Sequence, residues 1–599
     1  MTNKRVISAL AVGAVALVVA ACGGSGDSTT SSAGSTPADT GAGSTPATST
    51  AAAGGGDFLD GGFPAKETPV KGGRLTIAYD SNIDCWNGLS YYGISWSYFY
   101  FMARGLYGYP NSVDPAETDT VQPEIASDMP TISADGLTYT VKLRPGIKFP
   151  DGKPVTAKDV KATFEYMLDP NIQCATGGPP SSGYYNVIDG YDAYTKAMTD
   201  SKGADNPGIS GITADDDATV SFKLTAVDGS FLRALAMGWA FIRPADTPHK
   251  VTDTPPPFVG PYHLTKYVSD KSVSIDREPT WAANVAAGMP ETPDENNIDG
   301  LDADLATPND IATQKLKDNQ LDIGDGAIIG SDVPAIAQDD SFKDRYFSTP
   351  DAAIDYGVFR TDKAPFDNVK LRQAVNFAVD RTQNAKIIGG ALKREPWSQL
   401  LSKNLMADQP TDIFPNTPDV EKAKALVAES GVATPIKIEL VHFAEDPAPQ
   451  QAQAIKESLD AVGFDVTLKA VSSDAFYGVL DDDTAPWSIG LAGWGQDYSD
   501  AITFFRPLLS CPGGKPTGSN YGNFCDAAFD AKIDEINKMP VGPDRTAAWA
   551  QLSTDTATNQ TPWWVMDNRR VVNLVSNRLG NFFYGPAKQY YFASYFIKQ

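Results

Sequence analysis

The body of this chain is predicted to be α/β, and two segments predict it. Residues 434–442, Thr-Pro-Ile-Lys-Ile-Glu-Leu-Val-His, alternate apolar and polar like a strand; Gln450 to Val462 follow as an amphipathic helix; Asp465 to Ala470 alternate again. This strand-helix-strand order is the building block of a sheet with helical crossovers. Residues 135–168 repeat the alternation of types. Asp135-Gly136 makes a turn, and Leu137, Tyr139, Val141 and Leu143 form one face of a half-buried strand. Pro145-Gly146 and Pro150-Asp151-Gly152 break the run, and Thr156 with Asp159 offers a capping box for a helix through Leu168.

Ahead of this body, Lys4 and Arg5 precede an uncharged aliphatic run, Val6 to Ala21, which ends on small residues before Cys22. That is a signal peptide over 1–21. As a helix it rises roughly 24 Å, short of the ~30 Å hydrocarbon core. Val19-Ala20-Ala21-Cys22 resembles the bacterial lipobox, which implies cleavage and acylation of Cys22, a multi-chain anchor that holds stably to a membrane. Residues 22–69 then read as a tether, since Gly, Ser, Thr, Ala and Pro dominate to about Gly56 and bury too little apolar surface to fold. A coil of that length holds the body roughly 30 Å from the lipid. No later stretch is long and apolar enough to cross a bilayer.

About 530 residues remain, enough for two or three domains. The formal charge of −25 argues against nucleic-acid binding, which needs basic patches. Four cysteines other than Cys22 suit an oxidising compartment and suggest two bridges. Cys511 and Cys525 close a short Pro-Gly-Gly loop and are the favoured pair, which leaves Cys85 and Cys174; free thiols stay open as an alternative.

Other elements follow in order. Lys71-Gly-Gly leads into a strand that opens the body, and Tyr98, Phe101, Met102 and Leu106 keep the spacing of a core helix. Leu371, Ala374, Val375, Ala378 and Val379 make one apolar helix face, with Arg372, Asn376 and Asp380 away from it.

Four collinear motifs carry a resemblance. They are Asp135 to Val160, Phe258-Val-Gly-Pro-Tyr262, Pro365 to Arg381, and Gly493-Trp-Gly-Gln-Asp-Tyr-Ser-Asp500. Together they resemble the peptide/nickel-binding family of extracytoplasmic solute-binding proteins, the oligopeptide- and dipeptide-binding lipoproteins of ABC importers, over nearly all of residues 70–599. The resemblance implies a two-lobed, Venus-flytrap fold. Lobe one would span 70–361, with a subdomain inserted at about 90–225; lobe two would span 362–560; residues 561–599 would return to lobe one. It also implies a receptor anchored on the extracytoplasmic face of the cell membrane that hands its ligand to permease and ATPase subunits, without a cofactor and as a monomer.

Ligands of such folds gather at strand ends and at the seam between lobes. Trp494, Gln496, Asp497 and Tyr498 follow the apparent strand end 487–492 and set an acid beside two aromatics. In the receptors this segment resembles, the acid at the place of Asp497 pairs with a ligand α-ammonium, a charge-assisted bond that fixes ligand polarity. Asp84, Trp86 and Tyr92, behind the first strand, would by the same likeness form a second wall, with Trp86 alternatively covering a disulfide at Cys85. Arg360 stands where relatives commonly carry Asn, so it binds either a ligand carboxylate or a neighbouring acid.

Catalytic constellations are missing from the sequence. The three histidines are far apart, no Walker A or Gly-x-Ser-x-Gly motif occurs, and the glycine run 324–330 has one residue too many for a dinucleotide fingerprint and reads as a turn. The Asp215 to Asp217 and Asp481 to Asp483 runs read as solvated loops. The expected function is therefore a receptor for a small polar ligand, most simply a peptide; a sensor or adhesin without transport, or a secreted carboxylate-dependent hydrolase, are the alternatives.

Overall fold

In a computed structural model, residues 66–598 are described apart from 80, 84, 90–93, 115–116, 173, 175–181, 253, 408, 410–411, 512–518 and 586. The signal peptide, Cys22, most of the tether, Asp84 and Tyr92 lie outside the described residues.

Two mixed sheets organise the chain. Gly72 and Gly73, both at positive φ, turn into strand Arg74–Tyr79, which pairs in parallel with Gly300–Asp304 and Ile323–Asp325. Antiparallel strands Ser272–Arg277 and Tyr262–Val268 complete a five-stranded sheet. The second sheet has six strands, in the order Arg394–Pro396, Trp563–Leu574, Tyr346–Phe359, Ile489–Gly495, Ile436–Phe443, Phe464–Val471. The expected strand-helix-strand unit is its parallel half. Ile436–Phe443 and Phe464–Val471 pair in parallel around helix Ala448–Asp460, which buries Ala452, Ile455 and Leu459. Thr138–Lys142 lies in a separate four-stranded sheet, and helix Ala157–Met167 starts where Asp159 accepts from the Thr156 backbone N–H at 2.7 Å.

Helix Ile94–Met102 is buried on every side, so its periodicity marks a core element. Helix Val369–Ala378 corrects one expectation. Leu371, Ala374 and Val375 face the second core as anticipated, but Arg372 and Asn376 are buried too. Arg372 donates to the Gln560, Thr561 and Phe366 carbonyls, and Asn376 to that of Trp563. The supposed polar face closes over the start of a neighbouring strand, supplying donors to carbonyls that would otherwise be buried without partners.

Both connections between the sheets are pinned at one place. Arg345 donates to the carbonyl of Val575 at 2.7 Å, and buried Asp322 accepts from Thr76, Ser576 and Arg578.

Cys85–Cys174 and Cys511–Cys525 are bridged. Cross-linking removes more entropy from the unfolded chain when the loop is longer. The separation of 89 residues corresponds to about 4.6 kcal/mol and that of 14 to about 3 kcal/mol. Replacing Cys85 and Cys174 together by Ser is expected to lower stability in urea unfolding more than the same change at Cys511 and Cys525.

Candidate functional site

Strand Ile489–Gly495 runs antiparallel to Tyr346–Phe359, and Gly495 is its last residue, paired with Ala353. The Gln496 N–H still donates to the Ala352 carbonyl at 2.9 Å; beyond it the chain leaves the ladder and carries Asp497 to the seam between the lobes. Of the two glycines at this strand end, one is required by its neighbours. A Cβ on Gly493 would fall 2.0 Å from Arg569 Nη2, so only glycine admits that guanidinium, and nothing stands closer than 3.6 Å to one on Gly495.

Asp497 is half-buried. Burial pushes its pKa up to about 7, against the pull of a hydrogen bond donated by Tyr184 from the four-residue helix Ser182–Tyr185. Among the described residues no cation pairs with it. Tyr184 stands 313 residues before Asp497, so this bond crosses between distant segments. Two others cross near it: Tyr498 meets Ser230 Oγ at 3.1 Å, and the Gly229 N–H donates to the Asn537 carbonyl at 2.8 Å. Tyr184→Phe removes the donor that favours the carboxylate. The Asp497 titration, followed by infrared difference spectra with Asp497→Asn as blank, is expected to move above pH 7.

The other residues expected at the site divide. Gln496 is half-exposed and accepts from Asn404 at 2.8 Å; Trp494, half-buried, is oriented by its Nε1–H donating to the Thr503 carbonyl at 2.9 Å. Tyr498 is buried beneath Asp497, edge-on to Tyr184 at 5.3 Å, and supports the site from behind. Two expectations are corrected. Trp86 is 1% exposed and packs on Tyr98, Phe99 and Tyr267, a core position beside the Cys85 bridge rather than a cleft wall. Arg360 is likewise 1% exposed. Its Nε and Nη2 donate to Asp362 at 2.9 and 3.0 Å while its plane lies 5.0 Å over Trp487, so it neutralises a neighbouring acid and is buried away from solvent.

The two sheets also carry acids that the sequence reading missed. On the first lobe Asp325 ends a parallel strand, and burial lifts its pKa to about 6 despite a 2.9 Å bond from Tyr590. On the second, Asp355 and Asp567 face each other across paired strands, with Arg569 and Arg394 both on Asp355. Asp567 is held well above the usual carboxylate range by burial and by the Asp355 charge. Asp325 sits inside the glycine run taken for a plain turn. Asp567 and Arg569 did leave a signal, since charges at i and i+2 put two ionic groups on one face of strand Trp563–Leu574.

Two lobes, each built on a mixed sheet, with acids and aromatics at their seam, define a protein that captures a small molecule between domains. Residues 120–516 match the model of the bacterial extracellular solute-binding proteins, family 5, and the chain belongs to that family. It is 28% identical over 469 residues to heme-binding protein A of Haemophilus influenzae, covering 74% of this chain and 78% of that protein. It is 26% identical over 494 residues to the dipeptide-binding protein of Escherichia coli, covering 78% and 84%. Among solved structures, clavulanic acid biosynthesis oligopeptide binding protein 2 superposes with a TM-score of 0.77 at 20% identity, over 88% of this chain and 96% of that one. OppA of Haemophilus influenzae complexed with RPPGFSPFR gives 0.67 at 17% identity, over 88% and 99%. At those identities the structures establish the two-lobed fold. Members of the family are binding proteins of transporters, not enzymes.

Proposed function

We propose that this chain is the lipid-anchored extracytoplasmic receptor of an ABC importer, and that it captures a short peptide by pairing the ligand's α-ammonium group with Asp497. The observation that carries the reading is a half-buried carboxylate after the strand end that meets one neutral donor and, among the described residues, no cation. Such a group is costly while ionised and alone, and a ligand ammonium removes the cost. Relatives named for dipeptides, and a structural neighbour holding a peptide, support the same ligand class. Cys22 supplies the anchor and the Gly/Ser/Thr tether the reach to membrane-embedded permease and ATPase partners.

The lobe limits expected near 362 and 561 lie at the ends of two strands hydrogen-bonded to each other inside the six-stranded sheet. We place the hinge earlier, where Arg345 and Asp322 tie the crossing connections together. A ligand that touches both lobes then biases the closed form.

The test is native mass spectrometry of the mature protein incubated with an equimolar mixture of short peptides, mono- and disaccharides and nickel chelates. Retention of peptides is expected. Retention of sugars or chelates in their place would overturn the assignment.

A further inference from the structure

Aromatic side chains supply much of this chain's packing, with 10 Trp, 24 Tyr and 27 Phe, and most of those in the described residues are covered. Tyr477 stands apart. It is 40% exposed, the one aromatic among the exposed large apolar side chains of the described residues. A ring left open to water forgoes the burial for which aromatic side chains are usually retained.

The ring is nevertheless held firmly. Helix Ser473–Asp481 carries it, and three other rings brace it. Tyr521 stacks on it with centroids 5.6 Å and planes 29° apart, while Phe476 and Phe443 meet it edge-to-face at 5.3 and 6.1 Å. Phe476 is fully buried and stacks on Phe443 at 3.9 Å, so the braces are themselves fixed. Tyr521 comes from the loop that the Cys511–Cys525 bridge closes.

Its place is the end of strand Ile489–Gly495, ahead of Asp497. The Tyr477 hydroxyl lies by the backbone of Gly493, and both tyrosines border Tyr356, which pairs with Ala492. The neighbouring glycines are unobstructed: a Cβ on Gly478 would meet nothing within 4 Å, and one on Gly495 nothing closer than 3.6 Å.

We propose that Tyr477, braced by Tyr521, is a side-chain subsite for an aromatic ring of the ligand, so that peptides carrying Phe, Tyr or Trp after the first residue are preferred over their aliphatic counterparts. The proposal rests on the peptide reading above and names the side chain that this site selects.

The spacing allows it. Gly493 and Asp497 are four residues apart, at most about 14 Å of extended chain. An extended peptide gains about 3.5 Å per residue, so with its ammonium on Asp497 the next one to three side chains come within reach of the ring. The chemistry favours a ring over other side chains. A fixed aromatic wall loses little freedom on binding, and ring-on-ring contact adds a gain that an aliphatic side chain does not receive. A guanidinium stacks on tyrosine as well, but Arg569 lies beside the Tyr477 hydroxyl, and like charges side by side are disfavoured.

The experiment uses an equimolar library of tri- and tetrapeptides, alanine throughout except for Phe, Tyr, Trp, Leu or Arg at one position after the first, with retained species counted by native mass spectrometry. Wild-type protein is expected to retain the aromatic peptides about threefold to tenfold over their leucine counterparts at one of those positions, the range of one aromatic pair. Tyr477→Leu keeps apolar bulk and loses the ring, and should bring that ratio to near one; Tyr477→Phe should keep it. Equal retention of aromatic and leucine peptides by the wild type at every position, a preference for arginine, or an unchanged ratio in Tyr477→Leu overturns the subsite and leaves the peptide reading standing. Retention of none of the peptides overturns that reading and the subsite with it.

Discussion

Asp497→Ala is expected to weaken binding of a retained peptide by about 30-fold or more at pH 7.5, measured by titration calorimetry, with an unfolding midpoint no lower than that of the wild type. The size follows from removing one partner of an enclosed charge pair, which costs roughly 2–5 kcal/mol and leaves the ligand ammonium buried without a counter-charge. The pH dependence carries the same information. With a pKa of about 7, the free carboxyl is mostly protonated below neutrality, while the bound form needs it ionised. Affinity should therefore fall on acidification, approaching roughly tenfold per pH unit below pH 7, and Asp497→Ala should flatten that slope. Stability of the unliganded protein moves the opposite way. The folded pKa lies above the unfolded value of 3.8, so this group's contribution is present below about pH 4 and is lost as pH rises through 7. A retained slope in the variant would assign the titration to another group.

The largest stability effect is expected at Arg381. Its fully buried guanidinium donates to the carbonyls of Trp397, Val565, Asn376 and Pro415 and to Asn376 Oδ1, at 2.7–3.1 Å. Four segments of the second lobe meet on one planar fork. Arg381→Met fits the volume but strands several buried acceptors, each worth roughly 1–3 kcal/mol, so a loss of about 3–5 kcal/mol is expected in urea unfolding. Arg381→Lys should recover little, because one ammonium cannot reach carbonyls on both sides of the fork. A loss under about 1 kcal/mol for the Met variant would mean that these carbonyls find other partners.

How far the sequence spoke depended on the distance over which each feature is encoded. The strand-helix-strand unit at 436–471 and the capped helix at 157–167 follow from periodicity and caps within a dozen residues, and they formed nearly where expected. Asp497 was marked by its motif and by the strand end before it. Burial of polar groups was not legible. Arg372 and Asn376 look like a solvated helix face until strand 563–574 arrives nearly two hundred residues later to cover them. Arg360 looked like a ligand group because its neighbour two positions on, Asp362, could equally have pointed elsewhere. Tyr184 was invisible as a site residue for the same reason: its role exists only once its short helix meets Asp497, 313 residues further along.

Proton release on binding tests the central claim most directly. Calorimetry at pH 6 with a retained peptide, repeated in buffers of different ionisation enthalpy, counts the protons exchanged. The peptide amine is already charged at that pH, with a usual pKa of roughly 8. An ammonium docking on Asp497 must therefore expel the proton that burial had placed there, and close to one proton per ligand should be released, falling to near zero in Asp497→Asn. Binding with no proton released by the wild-type protein would contradict the account.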